Sequence, residues 1–213
     1  MMAPPHEQRL STRWYIIRHG QTEFNAHNIV QGSGIDAPLD ATGHHQAASF
    51  FNYYRKIPFG AIYVSGLQRT AQTVEPFIKL GLPLTRLPEL NEINWGELEG
   101  QQGSPSVRAV FHETIHRWTS GELDYRIPGG ESPLEVLDRL KRGLDLIRET
   151  APPGPILICS HGRTLRVLLS YLLGYGLERM QYFEHDNTGL NLLAPLPHRH
   201  YALKINDLTH LHQ

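Results

Sequence analysis

Cysteine is nearly missing from this sequence: among 213 residues, only Cys159 carries a thiol. One thiol cannot form an internal disulfide, so disulfide stapling within the chain is excluded as a source of stability. Cys159 also ends the apolar run PILIC at residues 155–159. We therefore expect a buried strand residue in a protein from a reducing compartment.

Long apolar runs and an excess of charge of one sign are missing too. No run approaches the roughly 20 apolar residues of a membrane-spanning helix, and the first residues, MMAPPH, lack the apolar core of a signal peptide. Lys and Arg total 20 against 21 Asp and Glu, a formal net charge of −1. We expect a soluble cytoplasmic protein that binds neither nucleic acid nor a membrane surface. An anionic ligand would need a local cluster of positive groups.

Histidine, by contrast, is abundant, with 13 residues. Four of them lie in polar sequence near the C-terminus, and we expect their side chains to be solvated: His198, His200, His210 and His212.

The order of the predicted elements indicates the fold class. The chain has no long linker, repeat or low-complexity tract, which predicts one domain over residues 1–213 with a flexible arm at 1–12. Strands are predicted at 14–17, 59–64, 83–87, 155–159, 190–193 and 201–205, with helices at about 40–54, 67–78, 104–119, 132–147 and 164–173. This alternation is typical of a three-layer α/β/α sandwich around a mainly parallel central sheet.

The helix that follows Ser132 has the clearest start signal. Ser132 is the predicted N-cap, Pro133 takes the first helical position, and Glu135 completes a capping box. The predicted buried stripe of this helix is Leu134, Leu137, Leu140, Leu144 and Ile147.

Three predicted strands end in residues that can bind a phosphoryl group. One runs into RHG at 18–20, a second into SHG at 160–162, and a third leads towards Arg69. Ligands bind at the carboxyl edge of parallel strands. Each residue alone is more commonly a polar cap or a solvated side chain, but the repeated His-Gly pattern favours a shared site for a dianionic phosphoryl group. We expect that site to contain Arg18, His19, Arg69 and His161.

These motifs resemble, in chain order, those of the histidine phosphatase superfamily, which includes the cofactor-dependent phosphoglycerate mutases. They are RHGQTEFN (18–25), SGLQRTAQT (65–73), LNE (90–92), WGELEG (95–100), GES (130–132) and SHG (160–162). The resemblance spans about residues 14–193. It implies a phosphoglycerate mutase-like fold and a metal-independent reaction without a cofactor on a small phosphorylated metabolite.

The resemblance also implies roles for individual residues. His19 would be the nucleophile that forms a phosphohistidine, and Glu92 would protonate the leaving oxygen and then activate water. The phosphoryl oxygens would be held by Arg18, Asn25, Arg69 and His161, with further substrate contacts from Thr22, Gln31, Gly32, Gly162 and Thr188. Because positive charge nearby disfavours imidazolium, we expect His19 to stay neutral and nucleophilic below its usual titration range.

Three other functions are weighed against this phosphatase hypothesis. A phosphoglycerate mutase shares the phosphohistidine, but mutases of this type have a longer insertion than the 101–130 segment, which we expect to be a variable region for substrate specificity. A zinc metalloprotease is suggested by His112-Glu113-Thr114-Ile115-His116, although no third-ligand motif follows. A pure binding module is disfavoured because no core residue is missing.

The substrate and the oligomeric state are left open by the sequence. Sugar phosphates, phosphoglycerates, nucleotide-like phosphates and cobalamin-pathway phosphates all fit the motifs, and a homodimer is one arrangement consistent with the chain.

Overall fold

A computed structural model describes residues 13–196 and 199–212. The predicted arm at 1–12 and His198 lie outside the described residues. The strands are β1 (Trp14–Arg18), β2 (Ala61–Val64), β3 (Leu84–Arg86), β4 (Ile156–Ser160), β5 (Leu190–Pro195) and β6 (His200–Asp207). The helices are α1 (Glu23–Ala26), α2 (Ala41–Tyr54), α3 (Gln68–Ile78), α4 (Pro105–Thr119), α5 (Pro133–Thr150) and α6 (Gly162–Leu173). None of these helices is long and apolar enough to cross a membrane.

The six strands form one sheet in the order β3-β2-β4-β1-β5-β6. The first four strands in this order pair in parallel, whereas β5 and β6 pair antiparallel at one edge. The prediction of a mainly parallel central sheet is therefore confirmed. The two last strands are antiparallel because a short connection joins them, and only a long crossover can return a chain in parallel.

Two separate hydrophobic cores cover the two faces of the sheet. Alternate strand residues point to opposite faces, so Ile16 and Ile158 belong to one core, and Ile17 and Cys159 to the other. Helices α4, α5 and α6 contribute to the first core, and α2 and α3 to the second. This arrangement confirms the three-layer α/β/α sandwich and places Cys159, as predicted, in a buried strand.

Helix α5 begins as predicted and buries Leu140, Leu144 and Ile147 of the predicted stripe, but not Leu134. Ser132 caps it, and Glu135 returns the hydrogen bond of the capping box. Leu134, however, is 45% exposed, and Val136 is buried instead. A helix turns about 100° per residue, so Leu134 lies roughly 120° away from Leu140 and faces solvent.

The prediction of solvated C-terminal histidines is wrong for two of them. His200 packs its ring 4.7 Å from that of Trp14, and His210 packs against Phe50 at 5.2 Å. Both side chains are buried. The polar sequence gave no sign that β6 joins the edge of the sheet, or that His200 and His210 pack against aromatic core residues.

Candidate active site

The chain segments that follow β1, β2 and β4 meet at one edge of the sheet. The register sets Arg18 beside Ser160 and Val64 beside Cys159, so the residues that come next leave the sheet together. The backbone N–H of His19 donates to the carbonyl oxygen of Ser160 at 3.0 Å. The imidazole rings of His19 and His161 are buried, with centroids 5.0 Å apart.

His19 has a ring orientation that leaves one nitrogen free. Its Nδ1 lies 2.7 Å from the carbonyl oxygen of Gly20. A carbonyl oxygen only accepts, so Nδ1 carries the proton in the neutral ring and Nε2 keeps its lone pair. Burial, followed by the charges of Arg69 and Arg18, lowers the pKa of His19 well below its ordinary value. The ring is therefore a neutral imidazole at pH 7, with Nε2 as its nucleophilic atom.

Arg18 and Arg69 bring two guanidinium groups to the imidazole pair. Arg69 is fully buried, and its Nη1 donates to the carbonyl oxygen of Ile35 at 2.8 Å. Arg18 donates from Nη1 to the carbonyl oxygen of His185 at 2.9 Å, while its buried Nε has no partner. Burial lowers the pKa of Arg69 to about 10, which still leaves it cationic at neutral pH. The unpartnered Nε of Arg18 is a donor available to an incoming oxyanion.

His161 uses both ring nitrogens within the protein. Arg69 donates from Nε to His161 Nδ1 at 3.2 Å, and His161 Nε2 lies 2.8 Å from the hydroxyl of Ser65. Because a guanidinium only donates, Nδ1 is the acceptor and the Nε2–H donates to Ser65. We predicted that His161 holds phosphoryl oxygens directly, and this stays a prediction. In the structure its ring contacts Arg69 and Ser65, so a direct bond to a substrate would have to replace one of these two contacts.

Glu92 is fixed at the start of α6. Its Oε1 accepts hydrogen bonds from the Ile93 and Thr164 backbone N–H groups at 2.9 Å and from the Thr164 hydroxyl at 3.1 Å. Its Oε2 accepts from the Arg163 N–H at 3.1 Å. A carboxylate at a helix N-terminus is favourably placed with respect to the helix dipole. The carboxyl group lines the cavity described below and is held rigidly there.

Arg139 and Glu131 support the segment that carries Glu92. Arg139 donates to the carbonyl oxygens of Glu89 at 2.7 Å and Glu92 at 3.2 Å. Its Nε pairs with Glu131 at 2.9 Å, and the same carboxylate accepts the N–H of Asn94. This largely buried pair anchors the Glu92 segment from behind.

A cavity of about 720 Å³ opens beside this cluster: Arg18 and Glu92 line it, whereas His19, Arg69 and His161 are not among its lining residues. Its inner wall includes Arg18, Asn25, Glu92 and Gly162. Its outer rim consists of exposed side chains from α4, from the turn just before it and from the segment after α1, namely His27, Asn28, Gln102, Arg108 and His112. The volume suits a small metabolite.

Comparison with known proteins gives the family of this chain. Residues 14–208 match the histidine phosphatase superfamily, branch 1. The chain belongs to the histidine phosphatase superfamily. A relative from Shigella dysenteriae serotype 1, the probable phosphoglycerate mutase GpmB, is 34% identical over 161 residues, which cover 75% of this chain and 74% of the relative.

Solved structures of other proteins share the fold. One is a putative alpha-ribazole-5'-P phosphatase from Escherichia coli K-12, with a TM-score of 0.80 and 25% identity over 92% of this chain and 97% of the other. A mycobacterial glucosyl-3-phosphoglycerate phosphatase has a TM-score of 0.80 and 22% identity, covering 91% and 98% of the two chains. At that identity the second likeness concerns the fold alone.

Three of the substrate contacts expected for this histidine phosphatase lie on the cavity wall. They are Asn25, Gln31 and Gly162. The side-chain oxygen of Asn25 accepts the Thr22 N–H at 3.2 Å, so its amide nitrogen is the group left to meet a ligand. The amide nitrogen of Gln31 is buried without a partner, which makes it a second available donor.

Three other expected contacts make hydrogen bonds within the protein. Thr22 is fully buried as the N-cap of α1, and its hydroxyl donates to Gln31 at 3.0 Å. Gly32 accepts a hydrogen bond from Arg69 at 3.3 Å through its carbonyl oxygen. Thr188 is fully buried, and its hydroxyl lies 2.9 Å from Nε2 of His210. These groups are engaged within the protein, and direct substrate binding by Thr22, Gly32 and Thr188 stays a prediction.

The cavity residues that sequence reasoning missed include three that can donate hydrogen bonds from its wall: Arg163, Arg166 and His185. Arg163 and Arg166 follow His161 in α6, and they lie about one helical turn from each other. Two positive charges on one face of the helix were therefore a signal that could have identified them. His185 comes from a loop far along the chain, and only the fold brings it next to Arg18.

Within residues 13–196 and 199–212, the His112–His116 pair has no third metal ligand beside it. Both side chains are exposed on α4, and Glu113 pairs with Arg117 at 2.8 Å. Among the described residues, no three His, Cys, Asp or Glu side chains are grouped so that they could hold a metal ion. The family match supports a phosphatase or a mutase rather than the metalloprotease alternative.

Proposed function

We propose that this histidine phosphatase hydrolyses a small phosphomonoester through a phosphohistidine on His19. The observation that carries the proposal is the free Nε2 lone pair of a neutral, buried imidazole beside two guanidinium groups. A neutral imidazole is nucleophilic, and the two guanidinium groups beside it attract a phosphate group.

The reaction proceeds in two balanced steps. Nε2 of His19 attacks phosphorus, the bond from phosphorus to the ester oxygen breaks, and the leaving oxygen takes a proton from Glu92. Water then attacks the phosphohistidine, gives its proton to Glu92, and releases phosphate and the neutral imidazole. Neither step calls for a metal ion.

Arg18 and Arg69 stabilise the charge that spreads over the phosphoryl oxygens in both transition states. The unpartnered Nε of Arg18 supports its direct role. Arg69 is oriented by His161 and by backbone carbonyl oxygens, so its guanidinium needs no rearrangement during the reaction. Asn25 adds a neutral donor from α1.

Hydrolysis is favoured over transfer by the rim of the cavity. A phosphatase must admit water to the phosphohistidine, and the exposed side chains at this rim leave the neighbouring cavity open to solvent. Segment 101–130 places the single helix α4 beside the opening. The name of the similar alpha-ribazole-5'-P phosphatase supports the same reading.

A phosphoglycerate mutase is the second candidate, because relatives that are 33–35% identical bear that name. In a mutase, a second hydroxyl of the bound metabolite takes the phosphoryl group instead of water. The two candidates share His19, Glu92 and the arginines, and they differ only in the acceptor.

The test is phosphate release from p-nitrophenyl phosphate in excess EDTA. Wild type should turn over, His19→Ala should not, and His45→Ala, which changes an exposed histidine, should match wild type. Turnover that EDTA abolishes would contradict a metal-free mechanism. Folded wild type that releases no phosphate would favour the mutase, which 3-phosphoglycerate with a bisphosphate primer would then reveal.

A further inference from the structure

Two arginines in the cavity wall have no acidic partner. Arg163 donates from Nη1 to the side-chain oxygen of Gln181 at 2.8 Å, and Arg166 donates to the Gln181 carbonyl oxygen at 2.8 Å. None of the ion pairs among the described residues involves either arginine. Glu92, the nearest carboxylate on the cavity wall, is already held by four other hydrogen bonds. The side chain of Glu184 is exposed, and it forms no ion pair with Arg166 among the described residues.

The Arg163 guanidinium is held in place by aromatic rings. It lies 5.6 Å from the ring centroid of Trp95, 5.7 Å from that of Phe111 and 5.8 Å from that of Trp118. Such contacts restrict a long side chain and keep its planar donors oriented. Burial and the charge of Arg166 lower the pKa of Arg163 to about 9, so the group is cationic at neutral pH but short of counter-charge. A bound anion would supply it.

His185 adds a neutral donor to the same wall. Its side chain is 8% exposed, and neither ring nitrogen has a partner. Burial and three surrounding arginines lower its pKa to about 3, so the ring is uncharged and has one N–H to donate. Buried polar groups without partners are rare and costly. A ligand that accepts a hydrogen bond here would remove that cost.

Arg163 and His185 are hydrogen-bonded to two residues of the proposed reacting centre, Glu92 and Arg18. Arg18 donates to the backbone carbonyl oxygen of His185, and Arg163 donates its backbone N–H to Glu92. One small molecule can therefore contact both places within the same cavity.

We propose that Arg163, Arg166 and His185 form a second anion subsite, and that the substrate is a phosphomonoester with a second anionic group. That group is a carboxylate or a second phosphate. The identity of the reacting phosphoryl group rests on the proposed function, whereas the subsite itself rests on the three side chains.

The test is equilibrium binding to His19→Ala, measured by calorimetry, so that the result does not depend on turnover. The probes are two matched pairs: 3-phosphoglycerate with glycerol 3-phosphate, and fructose 1,6-bisphosphate with fructose 6-phosphate. The doubly anionic member of at least one pair should bind about tenfold to a hundredfold more tightly, the range expected for hydrogen bonds to a charged group. A preference in the first pair alone assigns the subsite to a carboxylate, and one in the second pair alone assigns it to a phosphate.

Removing either guanidinium should shrink that preference. We expect it to fall at least tenfold in Arg166→Gln and in Arg163→Gln, both added to His19→Ala. Arg142→Gln, which changes an exposed arginine on α5, should keep it. Equal affinity within both pairs, or a preference that survives both substitutions, would overturn the subsite. If the wild type fails to hydrolyse p-nitrophenyl phosphate while the binding preference holds, the proposed function fails and the subsite stands.

Discussion

Arg69 donates a hydrogen bond from Nε to Nδ1 of His161 across 3.2 Å. This contact joins the motif after β2 to the motif after β4, and it fixes the tautomer of the second histidine. The imidazole then donates from Nε2 to Ser65, which lies at the end of β2. A chain of hydrogen bonds through three side chains thus orients the Arg69 guanidinium.

Removal of the Ser65 hydroxyl tests this chain of hydrogen bonds. Ser65→Ala should lower kcat about tenfold, because the buried His161 N–H loses its acceptor and the ring no longer holds Arg69 in one orientation. KM should change little. Steady-state kinetics with p-nitrophenyl phosphate checks the effect, with Ser120→Ala, at an exposed serine after α4, as the control. An unchanged kcat in Ser65→Ala would mean that this chain of hydrogen bonds does not matter for turnover.

Replacement of Glu92 tests the acid and base steps. Glu92→Gln should retain the fold and lose about 10²- to 10⁴-fold in kcat with an alkyl phosphate, the usual contribution of general acid–base catalysis. The loss in the first step should be smaller with p-nitrophenyl phosphate, because its leaving oxygen needs little protonation. The exposed Glu97→Gln is the matched control. Equal activity of Glu92→Gln and wild type on both substrates would remove Glu92 from the mechanism.

The pH profile tests the state of His19. Protonation would consume the lone pair of Nε2, and the pKa of this ring is lowered far below the ordinary histidine value. The sign of the shift means that the neutral, reactive form persists as the pH falls through about 6.5, the reference value. We expect kcat/KM to show no loss assigned to His19 between pH 7 and pH 6. An NMR titration that places the pKa of His19 near 6.5, together with a parallel fall in rate, would contradict this account.

A substitution at Gly20 tests how closely the backbone beside His19 is packed. A Cβ at this position would lie 2.7 Å from the carbonyl oxygen of Gly43, so the two backbones have no room for a side chain. Gly20→Ala should cost about 1–3 kcal/mol of unfolding free energy, as overpacking does, and should displace the carbonyl oxygen that orients His19. Urea unfolding and kinetics check both effects. Gly103→Ala, where the nearest atom is 3.4 Å away, should change neither by much.

The sequence predicted the parts of the site that lie on single motifs. Arg18 ends a buried strand, His19 and His161 come directly after buried strands, and the parallel pairing of β1 with β4 brings those strand ends together. The alternation of predicted strands and helices was sufficient to predict the three layers of the fold. The N-cap signal of Ser132 was likewise local, so it was readable from a few residues.

The parts that sequence reasoning missed depend on contacts between distant elements. Thr188 was expected on the substrate, but the fold sets its hydroxyl against His210 from beyond β6. The wall formed by Arg163 and Trp95 exists only once α6 docks beside the segment after β3. Leu134 failed as a core residue because the phase of a helical stripe is set by its neighbours, which the apolar pattern alone does not identify.

The measurement that tests the central claim most directly is chemical trapping of the phosphoenzyme. Wild type should be mixed with a ³²P-labelled phosphomonoester, quenched in alkali within the first turnovers, and mapped by peptide. The account predicts acid-labile, alkali-stable label on the peptide that contains His19, and no label in His19→Ala. Label on another residue, or full turnover by His19→Ala, would contradict it.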